Sequence, residues 1–170
     1  MAPADIAVTQ KHMKQPIFQE KTRGFVVCRV SIDVIFDLRY RVLRAGLPRD
    51  SAQFPGDDVT NTWHIALFAS PAEDALPVTC ASFMLNSYQE KPAWQLRGMA
   101  TDYPHQGKGF GGELLRYAEP LIGADSQVRL FWCNARVPAL RFYQRHGWKI
   151  DSEEFDIPTA GPHRKMVKRR

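Results

Sequence analysis

The stretch from Thr101 to Gly112, Thr-Asp-Tyr-Pro-His-Gln-Gly-Lys-Gly-Phe-Gly-Gly, concentrates the residue types that could do chemistry. Four glycines fall in six residues, at 107, 109, 111 and 112, where an apolar pattern of helical period begins. Glycine costs roughly 1 kcal/mol relative to alanine inside a helix, so propensity alone would not select this opening. Bare backbone suits a ligand that approaches the main chain. The unpaired N–H groups of a first helical turn, at the positive end of the helix dipole, form an anion site. A phosphate or pyrophosphate is the natural guest. A turn without a ligand would need only one or two of these glycines.

Gly107, Gly109 and Gly112 also satisfy the dinucleotide-binding spacing G-x-G-x-x-G. In that fold the glycines follow the first strand directly and an acid lies about 20 residues further on. Here Asp102 to Gln106 intervene, and the next strand ends at Cys133-Asn134 with no acid. A P-loop fails as well, because Lys108 is followed by Gly109 instead of Ser or Thr.

The elements that must position this loop follow from patterning. Phe25 to Val30 predicts a first strand, and Ile35, Phe36, Leu38, Val42 and Leu43 an amphipathic helix opened by Ser31 and closed by Gly46 and Pro48. Residues 49–61 read as a loop. The segments 62–69 and 78–85 read as an antiparallel hairpin. Trp94 to Thr101 predicts a strand in which Gly98 weakens packing unless a bulge or a close backbone approach requires it. A helix is expected from Gly107 to Ile122, ended by Pro120 and Gly123. A strand at 128–133, a short helix from Pro138 to Gly147, and strands at 148–155 and 164–168 complete the chain. The fold class is α/β or α+β with a mixed sheet. The domain reading is an irregular segment at 1–23 followed by one domain at 24–170.

With 170 residues, 44% of them hydrophobic and 24% charged, the composition is that of an ordinary folded domain. Five basic residues fall within the last seven positions, so the preceding 163 balance formally. The expected role of that run is a solvated tail, since no aromatic side chains interleave with it to stack bases, and this argues against a nucleic-acid partner. Cys28, Cys80 and Cys133 are odd in number, sit in apolar runs and match no zinc spacing. Neither a signal peptide nor an apolar span of about 20 residues is evident, so the expected setting is cytoplasmic, with no membrane partner. No metal is expected.

Gln106-Gly107-Lys108-Gly109-Phe110-Gly111 resembles the Q/R-x-x-G-x-G/A signature of the GNAT superfamily of acetyl-CoA-dependent N-acyltransferases. Asn134, then Phe142-Tyr143, then Gly147-Trp148 resembles its second block, with Trp where Phe is usual. The resemblance spans roughly residues 25–168 and is specific from 96 to 148. It implies a mostly antiparallel sheet, flanked by helices and splayed at the strand before the loop. It implies acetyl-CoA as cosubstrate, with its pyrophosphate on the amides of Gln106, Gly107, Lys108, Gly109, Phe110 and Gly111. The pantetheine arm would run along Met99, Ala100 and Thr101, with Asn134 as a further contact or else a helix cap. An amide near Met99 or Ala100 would polarise the thioester carbonyl.

The implied reaction is direct attack by a primary amine, on a small molecule or a peptide. Tyr143 would protonate the departing thiolate, or else is a core aromatic. His64, Asp57, Asp58, Asp102, His105 and His163 are candidate bases, beside an ordered water relay. Arg97 either faces outward or meets an anionic acceptor. The Leu38 to Arg44 segment faintly resembles acyl-homoserine-lactone synthases, and an acyl-CoA sensor without turnover is a further alternative. A homodimer is compatible with the sequence.

Overall fold

The computed structural model describes residues 15–19 and 24–170. Its strands are β1 Gln15–Gln19, β2 Val26–Val30, β3 Trp63–Phe68, β4 Thr79–Tyr88, β5 Lys91–Thr101, β6 Leu130–Arg136, β7 Lys149–Ile150, β8 Phe155–Ile157 and β9 Gly161–Arg169. They form one sheet in the order β1-β2-β3-β4-β5-β6-β9-β7, with β8 paired to β9. Among the described residues only the β5–β6 pairing is parallel. The helices α1 Ile32–Leu43, α2 Phe110–Ser126 and α3 Leu140–Arg145 flank it. This is the mixed, mostly antiparallel α/β architecture expected from the sequence.

Successive strand residues point to opposite faces, and each face of the sheet has its own helix. Ile35 and Leu38 of α1 pack on Cys28, Ala66, Phe68 and Cys80. Leu114, Leu115, Ala118 and Ile122 of α2 pack on Val27, Ile65, Leu67, Ala81 and Phe83. All three cysteines are buried, and none is in a disulfide. No helix among the described residues is long and apolar enough to cross a membrane.

Several sequence expectations need correction. Residues 15–19, read as irregular, form β1 against β2, and the rest of 1–23 lies outside the described residues. Helix α2 does not stop at Pro120 or Gly123 but runs to Ser126. Burying Leu114, Leu115 and Ile122 contributes roughly 1.5–3 kcal/mol apiece, enough to offset the ~3 kcal/mol cost of an interior proline. Ser126 then fixes the end: its hydroxyl accepts from Trp94 Nε1 at 2.8 Å and from Val128 N at 3.2 Å. The single strand expected at 148–155 is two short ones, β7 and β8. The basic C-terminal run is no solvated tail. It lies in β9 and just beyond, where Lys168 and Arg170 reach the buried carboxylate of Glu119 at 2.5 and 3.0 Å, and Trp148 Nε1 donates to the same carboxylate at 3.0 Å.

Gly98 sits in a bulge. Cys80 pairs with Ala100 and Ser82 with Arg97, so two residues of β5 oppose Ala81. Its φ is +59°, and a Cβ there would lie 2.7 Å from Arg39 Nε and 3.0 Å from Phe54. Both requirements anticipated for this glycine are therefore met at one position. Gly98→Ala should lower stability by roughly 1–3 kcal/mol, read as a lower urea midpoint at unchanged slope.

Candidate active site

Parallel pairing between β5 and β6 runs through Trp94↔Phe131, Gln95↔Trp132 and Leu96↔Cys133 and then ends, although both strands continue. The bulge at Gly98 bends β5 away at that point. The strands open into a V, and a cavity lies on each side of it. Met99, Ala139 and Tyr143 line both cavities.

The first cavity, about 520 Å3, is walled by Met99, Ala100 and Thr101 of β5, by the glycine loop and by α3. Gln106 ties the loop to the strand by donating from Nε2 to Thr101 O at 3.0 Å. Gly107 and Gly109 have φ of +75° and +84°, a region open to glycine at little cost. Gly109 is the N-cap of α2, and the first bond of the helix is Glu113 N to Gly109 O at 3.1 Å. The N–H groups of Phe110, Gly111 and Gly112 therefore have no intrahelical acceptor, and all three residues line the cavity. Gly112 also admits the ring of His146, whose Cε1 lies 2.4 Å from where a Cβ would stand. His105, His146 and Phe142 belong to this wall too, and the sequence reading assigned none of them to the cofactor side. Lys108 is exposed and does not line it.

Tyr143 stands where the cavities meet. It is 8% exposed, its hydroxyl lies 3.7 Å from Met99 Sδ, and its ring packs edge-on against Phe142 and Trp148. Burial, more than the nearby Cys133 and Glu119, pushes its phenol well above the ordinary value of 10. It is a neutral hydroxyl throughout the physiological range and can act as a donor.

The second cavity, about 400 Å3, is lined by Leu43, Arg44, Phe54, Arg97, Asn134, Arg136 and His163 among others. Asn134, expected to contact the cofactor arm or to cap a helix, lines this cavity. Behind the wall is a buried network. Asp57 accepts from Arg39 Nη1 at 2.5 Å, from Phe54 N at 2.8 Å and from Arg97 Nη2 at 3.1 Å. Arg39 Nη2 donates to Ser82 Oγ at 2.6 Å. The Ser82 hydroxyl is then directed to His64 Nδ1 at 2.7 Å, and His64 Nε2 donates to Asp57 O at 2.8 Å.

This network engages two of the candidate bases. Asp57 is saturated, and both nitrogens of His64 are engaged. Asp58 is exposed away from the cavity, and Asp102 pairs with Arg41 at 2.7 Å. His105 lines the first cavity. His163 lines the second, and its Nδ1 donates to Gly161 O at 2.7 Å, so Nε2 is its proton-accepting atom. No group of His, Cys, Asp and Glu among the described residues could hold a metal.

Burial holds His64 below its ordinary 6.5, and burial followed by Lys168 does the same for His146. The unfolded chain therefore takes up these protons first as pH falls below 6.5, and the folded state loses stability down to the lower folded-state values. Urea midpoints should fall as the pH drops below 6.5, with a smaller fall in His64→Asn relative to its own value at neutrality.

The GNAT acetyltransferase domain family matches residues 72–150, which carry β4, β5, the glycine loop, α2, β6 and α3. The uncharacterized N-acetyltransferase YitI of Bacillus subtilis is 32% identical over 142 residues, 82% of this chain and 92% of that protein. The chain belongs to the GNAT acetyltransferases. Solved structures agree in fold. A Lactobacillus plantarum protein assigned as an N-acetyltransferase superposes with a TM-score of 0.71 at 19% identity, covering 86% of this chain and 98% of its own. An aminoglycoside 6'-N-acetyltransferase complexed with coenzyme A superposes with a TM-score of 0.61 at 14% identity, covering 81% and 89%. Within this GNAT chain the family match includes the V and its loop, whereas α1 and the 49–61 loop, which supply Arg44 and Phe54, lie outside it.

Proposed function

We propose that this GNAT protein is an N-acetyltransferase that moves an acetyl group from acetyl-CoA to a primary amine by direct attack. The observation that carries the reading is that the two cavities meet at the bulged strand and share Tyr143. The free amides of residues 110–112 and the bare Gly107 and Gly109 take the pyrophosphate. The β5 edge at Met99, Ala100 and Thr101, left open by β6, pairs with the pantetheine amides as a strand would. An amide at Met99 or Ala100 holds the thioester oxygen as it gains charge.

The amine enters from the second cavity, where His163 Nε2 takes the proton of the ammonium. Tyr143 gives its proton to the sulfur as the C–S bond breaks. A thiolate has a pKa of about 8.5 in water, below that of the phenol. The test is two-part. Acetyl-CoA should raise the melting temperature in proportion to the logarithm of its concentration, and an amine panel should release free coenzyme A thiol. A melting temperature indifferent to acetyl-CoA would exclude the donor.

A further inference from the structure

The second cavity carries a charge pattern that amine attack does not need. Arg44 at the end of α1, Arg97 on β5 and Arg136 at the end of β6 all line it, and no carboxylate does. The buried Arg39 adds a fourth guanidinium behind them, against the single carboxylate of Asp57, which is already committed to Arg39 and Arg97. Arg44 and Arg136 have no ion-pair partner among the described residues. Their hydrogen bonds are single contacts to main chain, Arg44 Nε to Ser51 O at 3.3 Å and Arg136 Nη2 to Leu43 O at 3.2 Å. Each guanidinium has five N–H donors, so most remain uncommitted.

The cations also repel one another: the pKa of Arg44 is lowered first by burial and then by Arg136 and Arg39. Stacking of Arg39, Arg44 and Arg97 around Phe54, at 4.4, 5.3 and 5.9 Å, explains how their stems pack. It leaves Arg44 without a carboxylate partner among the described residues. Convergent guanidinium groups with free donors at a part-buried wall match the geometry of an oxyanion.

We infer that the acceptor is a small primary amine carrying its own oxyanion, with an amino carboxylate as the best fit. The inference rests on the acyl-transfer reading above. The amine lies at the Tyr143 end, which opens to the donor side, and the oxyanion lies against Arg44, Arg97 and Arg136. Leu43, Phe54, Leu96 and Ile157 offer apolar wall for a short side chain, and about 400 Å3 suits a molecule of that size. Polyamines and aminoglycosides would bring several positive charges against the same arginines and are selected against.

The test compares matched acceptors by thiol release from acetyl-CoA at equal free-amine concentration: a set of amino acids including leucine, isoamylamine, leucinamide, O-phosphoethanolamine and spermidine. Oxyanion-bearing acceptors should exceed their neutral counterparts by about 10- to 100-fold in kcat/KM, the scale of one or two charge-assisted hydrogen bonds. Leucine against O-phosphoethanolamine separates carboxylate from phosphate. Arg44→Gln and Arg136→Gln should raise KM for the oxyanion-bearing acceptors more than they lower kcat, and Arg136→Glu should shift preference towards spermidine. Circular dichroism and the acetyl-CoA melting shift verify folding of each variant.

Preference for neutral or polycationic amines, no turnover of any oxyanion-bearing amine, or arginine variants that keep the wild-type preference would overturn the inference while acetyl-CoA binding stands. Loss of acetyl-CoA binding in the wild type would instead remove the acyl-transfer reading, and this inference with it.

Discussion

Gly109→Val is expected to weaken acetyl-CoA binding by about 100-fold or more, seen as loss of the ligand-induced melting shift. At φ +84° a β-branched residue is strained, so the loop must abandon the conformation that opens α2 at the wall of the cavity. No atom lies within 4 Å of the added Cβ, so the damage to the fold is confined to that backbone strain. Gly46→Val is the matched control. Gly46 has φ +82° and equally open surroundings, but it follows α1 and lines neither cavity. It should show a similar loss of stability and a retained ligand shift. Equal loss of binding in both variants would mean that the glycine loop has no special part.

Tyr143→Phe should leave acetyl-CoA affinity within about 3-fold and lower kcat by about 100-fold, the lower range for removing a positioned general acid. The ring keeps its edge-on contacts with Phe142 and Trp148, so the fold loses one hydroxyl and its weak contact to Met99 Sδ. The sign of the pH dependence follows from burial. Because the folded-state value lies well above 10, the wild-type phenol stays protonated up to that pH, and no alkaline fall in kcat below pH 10 should come from Tyr143. If Tyr143→Phe turns over at the wild-type rate, the residue is a core aromatic and the proton reaches sulfur from elsewhere.

The sequence made the glycine loop and its flanking elements legible for a physical reason. Its determinants are contiguous, a strand, a loop and a helix start, and four glycines in six residues contradict helix propensity strongly enough to demand a ligand. Gly98 was legible on the same logic, as a residue poor for its element. The second cavity was not, because Arg44, Phe54, Arg97, Arg136 and His163 come from separate segments and meet only when β5 and β6 part. Arg97 alone raised the question of an anion, and a single strand arginine cannot show that three others converge on it. Pro120 and Gly123 misled because local stop signals are weaker than the burial of Leu114, Leu115 and Ile122 on one side and the Ser126 contacts on the other. The C-terminal run looked solvated because its counter-charge, Glu119, lies about fifty positions earlier and is buried beneath Trp148.

Amide hydrogen exchange with and without acetyl-CoA tests the central claim most directly, because it reads the same N–H groups. Peptides spanning 99–112 should gain protection on saturation, most strongly at 107–112, with a lesser gain at 139–146, while β1 to β3 stay unchanged. Protection confined to other elements, or none at saturating ligand, would contradict a donor site built on the first turn of α2.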